Sequence, residues 1–279
     1  MIARALSASG LLLAAGASGS YLAYTLGEHA ALLPVALRAR GPAFALGLGA
    51  SVLGLSLAPW RPSAWLSLAV TGGLTAYALK RQWLMPPSAP RYVPTLPSPS
   101  GPNGLVLVLP DGGGVRLRVL ARDRVALVGP WLVVHCGLAR SVAVFNAPDD
   151  VVRAVLPHRS GFWLNVGRVG ELVDGVDGVG RDSGQPVLRR LAATVRTEAS
   201  WRAVAPEALL HAPLGGGLLA SERRPRVPSA RGVADGPRFG VVDGHSWRPV
   251  DLADPGPSQP GQYVISRWAA RARGCSGTE

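Results

Sequence analysis

The sequence predicts N-terminal transmembrane α-helices followed by a mainly β (β-rich α+β) globular domain. Three observations carry that prediction. Charge is unevenly placed: residues 1–84 hold six Lys/Arg and one acid, Glu28, whereas residues 85–279 hold 23 Lys/Arg and 16 Asp/Glu. The charge-poor part contains three uncharged apolar stretches. Beyond them lie short runs of β-formers punctuated by Asp-Gly turns.

The apolar stretches cover residues 11–26, 42–60 and 63–79. With its flanks, each approaches the roughly 20 residues that cross a bilayer core. Gly47, Gly49, Gly54, Gly72 and Gly73 suit such spans, because small residues let helices approach closely. Trp60, Trp65 and Trp83 fall at span ends, where amphipathic rings favour the interface. About three transmembrane helices over residues 1–84 are therefore expected, in a multi-pass protein of the cell membrane. A second reading makes the first stretch a cleaved signal peptide, with Arg4 before it and Ala15-Gly16-Ala17 as the cleavage site. Arg38, Arg40, Lys80 and Arg81 outnumber Arg4 and Arg61, which favours a cytoplasmic domain.

Residues 85–104 carry seven prolines and read as an extended, semi-rigid spacer. The β-rich domain follows over residues 105–279, interrupted by a Pro/Arg-rich loop at 222–237. Residues 105–109 form a β run, Pro110-Asp111-Gly112 a turn, and residues 115–119 a return strand with arginines on one face. Strands are expected over 125–128, 131–134 and 140–145, and a helix over 198–205 capped by Thr197. Residues 239–252 repeat the strand, Asp-Gly turn and arginine pattern of the first hairpin, a pattern common enough to recur by chance.

Composition excludes some functions. Lys80 is the only lysine among 29 basic residues, which reflects a GC-rich genome more simply than a ligand. The arginines are scattered, so no nucleic-acid partner is expected, and a basic surface suits anionic lipid headgroups better. The glycine runs 112–114 and 215–217 fit neither a P-loop nor a dinucleotide fingerprint, so no cofactor site is expected. No Cys/His spacing suits a metal, and the Asp-Gly pairs at 174–178 read as turns.

Chemistry concentrates on Cys136. Its stretch, Leu-Val-Val-His-Cys-Gly-Leu-Ala-Arg-Ser, places His135 and Arg140 beside the thiol. A cation such as Arg140 folded over Cys136 would lower the thiol's pKa and expose a nucleophile. His135 would point to the opposite face if the strand continues. Cysteine is also among the most buried residue types, so an inert core thiol is the simpler reading.

The order of motifs over residues 105–213 resembles a bacterial and archaeal family, domain of unknown function 3179. The resemblance rests on the hairpin return 112–120, on His135-Cys136-Gly137-Leu138-Ala139-Arg140-Ser141 running to Phe145, on Ser160-Gly161-Phe162-Trp163-Leu164-Asn165, and on Thr197, Trp201-Arg202 and Pro206-Glu207 before Leu209-Leu210. It adds Asn165 to Cys136, His135 and Arg140 as a candidate site residue. Ala139 stands where the family often has a second cysteine, Leu172 where it has an aspartate, and residues 175–187 lack its tryptophan. A two-thiol or metal-dependent activity is therefore not expected. The leading expectation is a membrane-anchored, non-catalytic binding or scaffolding domain. The alternatives are a thiol-dependent enzyme or redox protein at Cys136, and an accessory subunit whose Gly-rich spans pack against a membrane partner.

Overall fold

A computed structural model describes residues 1–27, 38–81, 84, 88–95, 104–136, 141–150, 152–158, 161–167, 171–214, 239–251, 254 and 262–278. The chain divides into two compact units, Met1–Pro87 and Ser88–Glu279.

The first unit is three helices: α1 (Ile2–Gly27), α2 (Arg40–Leu57) and α3 (Pro62–Lys80). Segments Ile2–Tyr24 and Arg40–Leu57 are long and apolar enough to cross a membrane. The third helix falls short of that mark, because Ser67, Thr71 and Thr75 dilute its apolar content. The Ser67 and Thr71 hydroxyls face inward instead, while Thr75 bonds back to the Thr71 carbonyl of its own helix. Ser51 Oγ lies 3.2 Å from Ser67 Oγ and 3.1 Å from Thr71 Oγ1, and Ser67 donates to the Ser7 carbonyl at 2.7 Å.

Close approach explains part of the glycine content. A Cβ on Gly10 would lie 2.6 Å from the Gly47 carbonyl oxygen, and one on Gly54 would lie 2.6 Å from Ser7 Oγ. Gly49, Gly72 and Gly73, by contrast, face open space. Leu12, Leu22, Leu46, Leu53 and Leu66 are exposed around the outside.

The second unit is a β-rich α+β fold. Its strands are β1 (Arg91–Thr95), β2 (Leu105–Val108), β3 (Gly114–Arg116), β4 (Val125–Val128), β5 (Trp131–Cys136), β6 (Ser141–Asn146), β7 (Val152–His158), β8 (Gly161–Val166), β9 (Glu171–Asp174), β10 (Thr194–Thr197), β11 (Leu210–Pro213), β12 (Gly240–Asp243), β13 (Ser246–Pro249) and β14 (Tyr263–Ile265). Short helices α4 (Leu117–Asp123), α5 (Glu198–Val204) and α6 (Arg267–Ala272) complete it. Eleven strands form one mixed sheet in the order β10-β2-β3-β11-β1-β4-β5-β6-β14-β12-β13. The pairs β1–β4 and β3–β11 are parallel. Among the described residues the sheet does not close into a barrel, although β10 and β14 approach each other. A separate three-stranded sheet runs β7-β8-β9.

Alternation along the central strands builds two cores. Val125, Leu132, Val134, Ala143 and Phe145 face the three-stranded sheet, meeting Phe162, Leu164 and Val173. Ala126, Val128, Val133, Val142 and Val144 face the other way, into a core with Leu117 and Leu120 of α4 and with Val195, Val241 and Val264. Burial on both faces explains why β5 and β6 read as continuous apolar runs rather than alternating ones.

Three expectations change. Residues 91–95 are strand rather than spacer: Tyr92 is buried and its hydroxyl donates to Asp123 at 2.6 Å, while β1 pairs with β11 and β4. Pro94 is tolerated there because its backbone faces the β4 side, where pairing extends only over Arg91 and Tyr92, so no ladder N–H is lost. The return strand stops at Arg116 instead of Val119, because Leu117 and Leu120, at helical spacing, pack into the second core. The two Asp-Gly hairpins also differ. The second closes through Gly244-His245 with Arg248 exposed, whereas the first has a longer turn and buries Arg116. The helix expected at 198–205 forms as α5, with Thr197 Oγ1 accepting from the Ser200 amide at 3.2 Å. The loop 222–237 lies outside the described residues.

Candidate functional site

Cys136 ends β5 and pairs with Ser141 of β6. Its side chain follows Leu132 and Val134 into the first core, and 8% of the residue is exposed. Cys275 is buried in the same core, and neither cysteine forms a disulfide.

His135 takes the opposite face, as strand alternation demands. Its register partner is Val142, a member of the second core. It is 5% exposed, and burial lowers its pKa to about 4. The ring is therefore neutral at physiological pH, and its Nδ1 is buried with no hydrogen-bond partner.

Asn165 is on β8, where Phe162, Leu164 and Val166 alternate toward the first core. Asn165 therefore projects from the other face of that sheet, in register with Arg153 and Leu172. Arg140 lies outside the described residues. Cys136, His135 and Asn165 thus occupy three different faces and do not converge.

A different cation stands near the thiol's end of β5. Arg124 has φ +62°, and its carbonyl accepts from the His135 amide at 2.7 Å. Its guanidinium sits 5.5 Å from the centre of the Phe162 ring, in the core that holds Cys136. A positive φ at a residue with a side chain is a strained backbone. Nothing in the residue types around Arg124 marks it in advance.

The sequence also missed a charged cluster. Asp174, 6% exposed, ends β9 and accepts from the Val176 amide at 2.8 Å. Arg273 reaches it at 3.5 Å and Asp177 at 2.9 Å, Arg190 lies 3.6 Å from Asp177, and His158 Nε2 lies 3.8 Å from Asp174. His158 stacks on Trp163 at 4.1 Å. Burial raises the Asp174 pKa, opposed by Arg273. Burial likewise raises the Cys275 thiol, again opposed by Arg273, so Cys275 stays protonated and unreactive. Two acids among glycines were readable only as turns, which they also are; the arginine that makes them a cluster comes from the far end of the chain.

Among the described residues no group of three or more His, Cys, Asp and Glu could hold a metal ion. Comparisons with protein-family models, curated proteins and solved structures find no match to this chain.

Proposed function

We propose that this is a multi-pass membrane protein whose β-rich unit is a non-catalytic binding or scaffolding domain, divergent from the domain of unknown function 3179 family. The observation that carries the reading is the pairing of two long apolar helices, ringed by exposed leucines, with a domain that packs its motif cysteine into a core. The order of hairpin, Cys136 strand and Trp201 helix supports the family assignment. Lys80 and Arg81, at the end of α3, favour a cytoplasmic domain.

Membranes washed with alkaline carbonate test the anchoring. The chain is expected to stay with the lipid and to leave only in detergent; recovery in the aqueous wash sinks the reading. Thiol labelling of the same preparation tests the second half. Cys136 is expected to react at least about 100-fold more slowly in the native protein than after unfolding, because the thiol must wait for local opening. Native labelling near the unfolded rate would revive the thiol enzyme, with Arg124 as its cation. Gly49, Gly72 and Gly73, open on the outside of the helices, favour the accessory-subunit reading. Co-purification with a second membrane protein in mild detergent would support it.

A further inference from the structure

The last strand of a sheet is a liability, because its unpaired amides and carbonyls invite another strand. β13 ends the eleven-stranded sheet, with β12 on one side. Backbone groups along such a strand alternate between facing the neighbour and facing away. The Trp247 amide faces away, since it donates to the Ser276 carbonyl at 2.9 Å. The next residue of β13 to face away is Pro249, which has no N–H. Trp247 therefore supplies the outward amide of this strand. Its carbonyl points the same way, toward Gly277.

Residues 273–278 cover this edge. The Ser276 amide donates to the His245 carbonyl at 2.8 Å, so the segment runs parallel to β13 and bridges it at Ser246. The bridge is a single residue long, yet the segment is pinned on both sides of it. Before it, Arg273 holds Asp177 at 2.9 Å, and Cys275 is buried in the first core. After it, the Thr278 carbonyl accepts from Arg267 at 2.9 Å and from Arg271 at 3.3 Å. Glycine makes the path possible. Gly274 has φ +72° and Gly277 φ +75°, and a Cβ on Gly277 would run into the Trp247 carbonyl oxygen.

The edge beneath is self-complementary. A residue whose N–H and C=O both point outward can exchange two hydrogen bonds with its own copy across a twofold axis, in an antiparallel pair. Trp247 meets that condition. In the register it sets, Ser246 of one copy lies opposite Arg248 of the other, and both are exposed. We propose that residues 273–278 are a strap that closes the β13 edge against a second copy of this chain, and that releasing the strap pairs two copies through Trp247. The strap lies wholly within the β-rich unit, so this holds or fails independently of the membrane anchoring.

The test uses the full chain in detergent, with two strap variants. Gly277→Val loses both the positive φ and the space beside Trp247, and Ser276→Pro removes the amide that reaches His245. Each is prepared once with Ser246→Cys and once with Arg248→Cys, and the two preparations are mixed under mild oxidation. Residues opposite each other in the non-hydrogen-bonded position of an antiparallel pair are close enough for a disulfide. A disulfide joining positions 246 and 248 of two copies is expected, identified by peptide mass so that links through Cys275 are told apart. Its yield is expected to rise about 10-fold over the same mixture with the strap intact, the scale of losing two backbone hydrogen bonds. That rise in either variant supports the strap. Absence of the link in both variants, whether the chain is monomeric or aggregated, overturns it, and so does an equal yield with the strap intact.

Discussion

Glu198→Ala is expected to destabilise the β-rich unit by about 3–5 kcal/mol, the range for removing one partner of a buried ion pair. Arg116 leaves the end of β3 and meets Glu198 at the start of α5 in a two-pronged contact, Nε to Oε2 at 3.1 Å and Nη2 to Oε1 at 2.8 Å. The side chains are 9% and 10% exposed. With the carboxylate gone, the guanidinium stays in a site that excludes most water. Its desolvation then loses the offset that Glu198 supplied. The pair also joins the first hairpin to the helix that carries Trp201, so the loss spreads to the small cluster of Val106, Trp201 and Leu210. A double variant, Arg116→Met with Glu198→Leu, is expected to recover to within about 2 kcal/mol of the parent, since apolar groups of similar volume can replace a buried pair. Urea unfolding of the full chain in detergent, followed by tryptophan fluorescence, measures both. A cost below about 1 kcal/mol for the single variant would show that water reaches Arg116.

Acid is the second large effect. His135 titrates at about 4 in the folded protein against 6.5 when exposed. A folded pKa below the unfolded one means that the fold binds the neutral ring. The stabilisation is complete above pH 6.5, is lost as pH falls from 6.5 to about 4, and levels off below. The displacement corresponds to about 3 kcal/mol. Asp174 works in the opposite sense. Its folded pKa is raised, so its contribution is complete below 3.8 and is lost as pH rises through the folded value. His135→Leu is expected to remove the loss between pH 6.5 and 4 and to cost little at neutral pH, because it also removes a buried Nδ1 that has no partner. Stability curves of the parent and the variant across that window decide the matter. Parallel curves would mean that the fold's acid sensitivity has another source.

The places where the sequence succeeded share a cause. Apolar stretches, a Thr197 cap and Asp-Gly turns act over a few residues, so their outcome is written locally. Strand alternation by itself also places His135 on the face opposite Cys136. Local reading failed wherever the deciding partner was distant. Residues 91–95 read as spacer because proline content outweighs Tyr92, whose core neighbours and hydroxyl acceptor, Asp123, are distant in sequence. Arg116 looked solvent-facing because Glu198 was out of view. Asp174 and Asp177 looked like bare turns because Arg273 was out of view.

The sequence by itself determined that this chain has an apolar, charge-poor first part and a strand-rich second part, since hydropathy and period are properties of short windows. Only the tertiary structure decided which polar groups meet. It separated Cys136, His135 and Asn165, and it brought Arg273 to Asp174 and Glu198 to Arg116. The physical reason is that a side chain's neighbours across a sheet are set by register and strand order, and hydrogen bonding and burial act on those neighbours without regard to their separation along the chain.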